Sequence, residues 1–155
     1  MRKLIDSRRV MILTAATVLA LGEASGALAT TGTGGQNQDF TVSVSAASVG
    51  TPDPDVGTVG DTVRVVLSVR NNKSWTGGPR PDDVRLRVTL QTPLGAPYTV
   101  SFTISMYPGQ TLQLPLEFAV SDSFPRGAYT LTLEAIEVRD PAAPVSSATA
   151  TLTIV

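Results

Sequence analysis

Between Phe40 and Ile154 apolar residues recur at every second position almost without interruption, and a side-chain period of two belongs to strands with one buried and one wet face. Phe40, Val42 and Val44 alternate with Thr41, Ser43 and Ser45; Val63, Val65, Leu67 and Val69 alternate with Thr62, Arg64, Val66, Ser68 and Arg70. The pattern resumes over Val84 to Leu90, Tyr98 to Met106, Leu112 to Val120, Tyr129 to Ala135 and Ala148 to Ile154. Seven strands with turn signals between them, within about 115 residues, predict an all-β, immunoglobulin-like two-sheet sandwich.

Local chemistry refines the strands. Tyr107-Pro108-Gly109-Gln110 fits a type II turn, Pro fixing its second position and Gly permitting positive φ at its third. Pro115 removes a backbone donor from the middle of the fifth strand, so one side of that strand is expected to be unpaired or bulged. In the sixth strand Ile136 and Val138 fall on the parity opposite to Tyr129, Leu131, Leu133 and Ala135, which predicts a β-bulge or a change of buried face. Arg85 and Arg87 share one face of the third strand; if that strand pairs with the sixth, Glu134 lies across from them in an exposed charge ladder.

The first 29 residues read differently and predict a helical export leader. Arg2, Lys3, Arg8 and Arg9 give a basic start, Val10 to Leu21 an uncharged apolar run, and Ala27-Leu28-Ala29 a small-residue cleavage site. Ser7-Arg8-Arg9 resembles the start of a twin-arginine signal, although the usual aromatic and lysine are missing. The apolar run of about 12 residues is shorter than the about 20 a spanning helix needs. Residues 30–38, TTGTGGQNQ, hold only Gly, Thr and amides and are expected to act as a flexible linker before a domain over 39–155. The chain is thus expected to be secreted, periplasmic or at the cell surface, touching a membrane only through the leader if it is uncleaved. Processing near Arg9 would instead keep the apolar run as an assembly helix, as in a pilin-like subunit.

Composition narrows function further. From Thr30 onward eight Lys and Arg stand against eleven Asp and Glu, a mildly acidic balance that gives nucleic acid little to hold. The absence of Cys leaves the fold to its apolar core alone. With no His and no Cys, the commonest general base and the thiolate nucleophile are both missing, and the expectation is a protein that is not an enzyme. No residue pattern requires a metal or a cofactor. Asp53-Pro54-Asp55-Val56-Gly57 with Asp61 has part of a calcium loop's acids but lacks a closing bidentate one, so turn formation is the better account.

The stretch Gly60-Asp61-Thr62-Val63-Arg64-Val65-Val66-Leu67-Ser68-Val69-Arg70-Asn71-Asn72 resembles the second strand of CARDB-type and related fibronectin type III-like surface modules of bacteria and archaea. Tyr107-Pro108-Gly109-Gln110 and Pro125-Arg126-Gly127-Ala128-Tyr129-Thr130-Leu131 are similar to those modules' later turns. The resemblance spans Phe40 to Val155. It implies a non-catalytic immunoglobulin-like module for adhesion, spacing or accessory binding, and no active-site residues.

Strict up-and-down alternation puts the loops around Asn71 to Asp83, Tyr107 to Gln110 and Arg139 to Ser146 at one end of the sandwich. That end holds the single tryptophan, Trp75, with Tyr107 and Arg80, a set able to stack on a sugar ring or anchor a protein contact. Trp75 folded back as a lid on the core is the competing arrangement. Asn72-Lys73-Ser74 satisfies the glycosylation sequon, making Asn72 a candidate acceptor. The leading expectation is an exported binding or adhesion module whose partner is a surface glycan, an envelope protein or its own copies. The alternatives are a pilin-like or filament subunit, suggested by the final strand as a free edge, and an inhibitor or accessory factor of a secreted enzyme.

Overall fold

The computed structural model describes residues 32–33, 39–74 and 80–155, so the expected leader and its helix lie outside the described residues. Nine strands follow one another: β1 (Gly32–Thr33), β2 (Phe40–Val49), β3 (Val56–Gly57), β4 (Thr62–Asn71), β5 (Asp82–Gln91), β6 (Tyr98–Met106), β7 (Thr111–Ala119), β8 (Gly127–Glu137) and β9 (Ser146–Ile154). The seven long ones are those the alternation predicts. β2, β4 and β7 form one antiparallel sheet in that order. The other runs β9, β8, β5, β6, and its β9 edge also takes β1 antiparallel and β3 parallel. This is an immunoglobulin-like arrangement in which the fourth long strand joins the sheet of β5, β8 and β9. Gly32 and Thr33, inside the segment expected to be a linker, are paired with Thr149 and Ala148.

The inner rows make the core. Phe40, Val42, Val44 and Ala46 of β2 and Val63, Val65, Leu67 and Val69 of β4 face Val84, Leu86, Leu133, Ala135, Ala148, Ala150, Leu152 and Ile154, all buried. Full burial of each Val, Leu or Phe side chain is worth roughly 1.5–3 kcal/mol, which is how a chain without disulfides holds together. β2 packs directly over β9 and β8, where Ala46, Ala135, Ala148 and Ala150 leave little bulk between the sheets. Gly57 continues the tight side, since a Cβ there would come within 2.9 Å of Ile154 Cδ1.

Gly109 has φ of 77°, and Gln110 N donates to Tyr107 O at 3.0 Å, closing the turn. Pro115 sits opposite Val66 on β7, an outer strand of its sheet, so its missing N–H costs no ladder bond and the register runs through unbroken. Arg87 pairs in register with Glu134, its Nε 2.6 Å from Oε2 and its Nη2 2.9 Å from Oε1. That hydrogen bond, outweighing the cost of desolvation, holds the Glu134 carboxyl below the usual glutamate range. Asp61 accepts from Thr58 N and Thr58 Oγ1, each at 2.7 Å, and Asp55 N donates to Asp53 Oδ1 at 3.2 Å, so these acids build turns.

The sixth long strand corrects the sequence reading. β8 pairs residue for residue with β5 and β9 and has neither a bulge nor a change of buried face. Glu137 continues the inner parity and is buried, whereas Val138 is exposed. A carboxylate can hold that inward position because Lys73 meets it there.

At the other end of β8, Tyr129 forms a tyrosine corner: its phenol donates to Pro125 O at 2.7 Å. Burial raises the phenol's pKa. Phe124 fills the corner, tilted against Tyr129 at 6.4 Å and stacked on Phe118 at 5.8 Å. Tyr129→Phe keeps the packing and loses the bond, so equilibrium urea unfolding is expected to show a loss of about 1 kcal/mol with an unchanged denaturant slope.

Candidate functional site

The ends of β4, β6 and β8 and the starts of β5, β7 and β9 meet at one end of the sandwich, as alternation predicts. Asn71 ties them together. Fully buried, it gives Nδ2 to Met106 O at 3.1 Å and to Asp82 Oδ2 at 3.2 Å, and its Oδ1 accepts from Lys73 N at 3.0 Å. Its backbone takes part too: Asn71 N donates to Gln110 O at 2.9 Å and Gly109 N donates to Asn71 O at 2.8 Å. The side chain and backbone of this one residue therefore join β4, β5, β6 and the Tyr107 turn across the two sheets.

Beside it, the Lys73 ammonium gathers three carboxylates. It bonds Glu137 Oε1, lies 3.5 Å from Asp82 Oδ1 and 3.9 Å from Asp39 Oδ2, and sits 5.6 Å from the centre of the Phe40 ring. Burial opposes its charge, but the Glu137 hydrogen bond and the fields of Asp82, Glu137 and Asp39 outweigh it and hold the amine above the ordinary lysine range. These acids converge on an ammonium; among the described residues no group of three or more His, Cys, Asp or Glu is arranged to hold a metal ion.

Of the residues expected to bind, Tyr107 is exposed on its anchored turn and Arg80 is exposed two positions before β5. The hydrogen bonds of Asn71 to Gly109 and Gln110 bring the start of the Trp75 loop against the Tyr107 turn. Trp75 itself lies in residues 75–79, outside the described ones. Asn72 is exposed, and its Nδ2 donates to Thr41 Oγ1 at 2.7 Å.

A second surface was not expected. The inner row of β6 is buried only at the Tyr107 end: Met106 is 1% exposed, Phe102 38%, Val100 57% and Tyr98 70%. Across from it, Leu112, Leu114 and Leu116 of β7 are half-buried and Phe118 is exposed. Joined by one tight turn, β6 and β7 therefore diverge toward their far ends and leave an apolar mouth, with Leu94 exposed beyond Tyr98. Alternation alone made Tyr98, Val100 and Phe102 look like core, because an inner row reads the same whether or not a strand covers it. The available signal was charge: no charged residue occurs between Arg87 and Glu117.

The sequence matches no family model. No curated protein matches it either. Among solved structures, the chain is similar to the CARDB domain of a Pyrococcus furiosus protein, crystallised in complex with di-metal ions, with 18% identity over 88% of this chain and 100% of that one at a TM-score of 0.49. It is also similar to the C-terminal domain of Wzt, with 15% identity over 79% of this chain and 77% of that one at a TM-score of 0.51. A β-glucosidase from Listeria innocua matches over 75% of this chain but only 16% of its own length, with 10% identity and a TM-score of 0.44. The likeness concerns the β-sandwich fold.

The polar end generates a stability prediction. Lys73→Met strands Glu137 and Asp82 without their cation and is expected to cost about 2–3 kcal/mol at neutral pH. Because the folded amine titrates above its unfolded value, the wild type keeps this contribution below about pH 10.4 and loses it as pH rises through the higher folded value. Urea midpoints measured from pH 7 to 11 should show that alkaline decline weakened in Lys73→Met, leaving the part due to the raised Tyr129 phenol.

Proposed function

We propose that this chain is an exported, non-enzymatic immunoglobulin-like module that works by contact at the cell envelope, with a surface glycan, an envelope protein or its own copies as partner. The observation that carries the reading is the apolar mouth. Tyr98, Val100 and Phe102 are bare while the inner rows of β2, β4 and β9 are closed, and apolar patches of this kind on small domains mark contact surfaces. Five of the acids are engaged in ion pairs: Glu137, Asp82 and Asp39 surround Lys73, Glu134 is held by Arg87 and Glu117 by Arg64. Export rests on the basic, apolar and small-residue sequence of the first 29 residues.

The loop end offers a second reading, favoured by Tyr107 standing exposed on a turn that Asn71 holds rigid. A fixed aromatic at the end of the sandwich that also carries Arg80 suits a sugar ring or a protein anchor.

The test compares full-length variants produced in the native host and purified as processed there. Binding to isolated envelope fractions is expected to weaken at least roughly tenfold in Val100→Asp/Phe102→Asp, a loss of about 1.4 kcal/mol, and to survive in Arg80→Ala/Tyr107→Ala. The reverse pattern would move the site to the loop end, and binding unchanged in both would overturn the reading. An N-terminus at Thr30 in the medium or periplasm supports export; an intact Met1 in the cytosol would refute it.

A further inference from the structure

Two sheets have four outer edges, and three of these are blunted. The β9 edge is taken by β1 and β3. β2 leans on both of those strands, and its Ser48 N donates to Pro54 O at 2.8 Å. β7 carries Pro115, which has no N–H, and the charge of Glu117 paired with Arg64. Proline, charge and cover are the usual means of keeping strands from pairing with foreign ones.

β6 has none of them. Its nine residues, YTVSFTISM, include no Pro, Gly or charge, and no described strand lies beyond it. Its outer face bears Thr99, Ser101, Thr103 and Ser105, its inner face Tyr98, Val100, Phe102, Ile104 and Met106. Among the described residues, the strand's outer edge thus presents unpaired backbone donors and acceptors beside an apolar row that is uncovered at Tyr98, Val100 and Phe102.

We propose that this edge is completed by a second copy of the chain, β6 pairing antiparallel with β6 about a two-fold axis at Phe102 and joining two six-stranded sheets into one. The proposal rests on the apolar mouth being the contact surface and names its occupant. A two-fold contact sets a surface against itself, so the surface must be self-complementary. Phe102 meets its own counterpart and Val100 meets Ile104 of the other copy, apolar against apolar, while Tyr98 stands in register with Met106, whose side chain is already buried in its own copy. On the outer face Thr99 meets Ser105 and Ser101 meets Thr103, hydroxyl against hydroxyl. A charged strand would repel its own copy; this one carries no charge, and Arg85 and Arg87 lie one strand further in, opposite Thr103 and Ser101.

The experiment is sedimentation equilibrium of the full chain as processed in its native host, from ~1 to ~200 µM, a range that reaches contacts weaker than micromolar. The expected result is a concentration-dependent dimer. Ser101→Lys/Thr103→Lys sets like charges opposite one another and should yield monomer with an unchanged fold by circular dichroism. Ser101→Glu/Thr103→Lys sets the new acid of each copy against the new base of the other and should restore the dimer. Phe102→Cys, in a chain otherwise free of cysteine, should cross-link to its own copy under mild oxidation far faster than Ser123→Cys. A monomer throughout the range would overturn the proposal, as would a double-lysine variant that dimerises like the wild type or equal cross-linking at the two cysteines. A monomer whose envelope binding is still lost in Val100→Asp/Phe102→Asp would refute the second copy while leaving the contact reading intact. A dimer with no envelope binding would do the opposite.

Discussion

The sandwich is shaped by how closely β2 lies on β9. Sheets normally stack about 10 Å apart, a distance set by the side chains between them. On this side the intervening residues are Ala46, Ala135, Ala148 and Ala150, with Gly57 pressed against Ile154, and Ser146 Oγ donates to Phe40 O to stitch the strands together. With the sheets brought close along one side, their opposite margins diverge. Valines and leucines fill the middle of the wedge, and beyond Leu114 and Leu116 there is too little side-chain volume to cover Val100 and Tyr98. The open mouth is thus the far side of the alanine seam.

The divergence is arrested at one end by polar chemistry. Asn71 and Lys73 leave β4 at the point where both sheets must be bridged, and each polar atom they bury finds a partner: Met106 O, Asp82 and Lys73 N for the Asn71 amide, Glu137 for the ammonium. Among the described residues no buried side-chain nitrogen or oxygen lacks a hydrogen bond. A satisfied polar group inside a core fixes geometry more sharply than apolar packing, because moving it breaks bonds with strong directional preference. The wedge therefore opens along its length from a fixed point at the Tyr107 turn.

Strand positions were legible in the sequence because an antiparallel sheet with one wet face writes its period directly into the residues; β4, β5 and β9 stand where Val63, Val84 and Ala148 put them. The Arg87 to Glu134 pair was legible for the same reason, given the strand order. Glu137 was not, since a lone acid at an inward position looks like a break in pattern until the cation that meets it, 64 positions earlier in the chain, is placed beside it. Tyr98, Val100 and Phe102 were misread in the opposite sense: alternation shows which face is apolar and says nothing of whether another sheet covers it. The final strand, expected to offer a free edge, is instead flanked by β1 and β3, two-residue strands too short to leave a periodic signal.

The direction in which the strands run has a mechanical consequence. β2 starts at the end where Asn71 lies and runs away from it, and β9 starts at that same end beside Glu134 and Ala135 and finishes opposite Gly127. Phe40 and Ile154 thus sit at opposite ends of a body about 30 Å long. Tension applied between them acts parallel to the strands, so the ladders joining β2 to β4 and β9 to β8 would be loaded in shear, many bonds at once, and could not be unzipped one at a time. A sandwich strung this way resists extension as a stiff link.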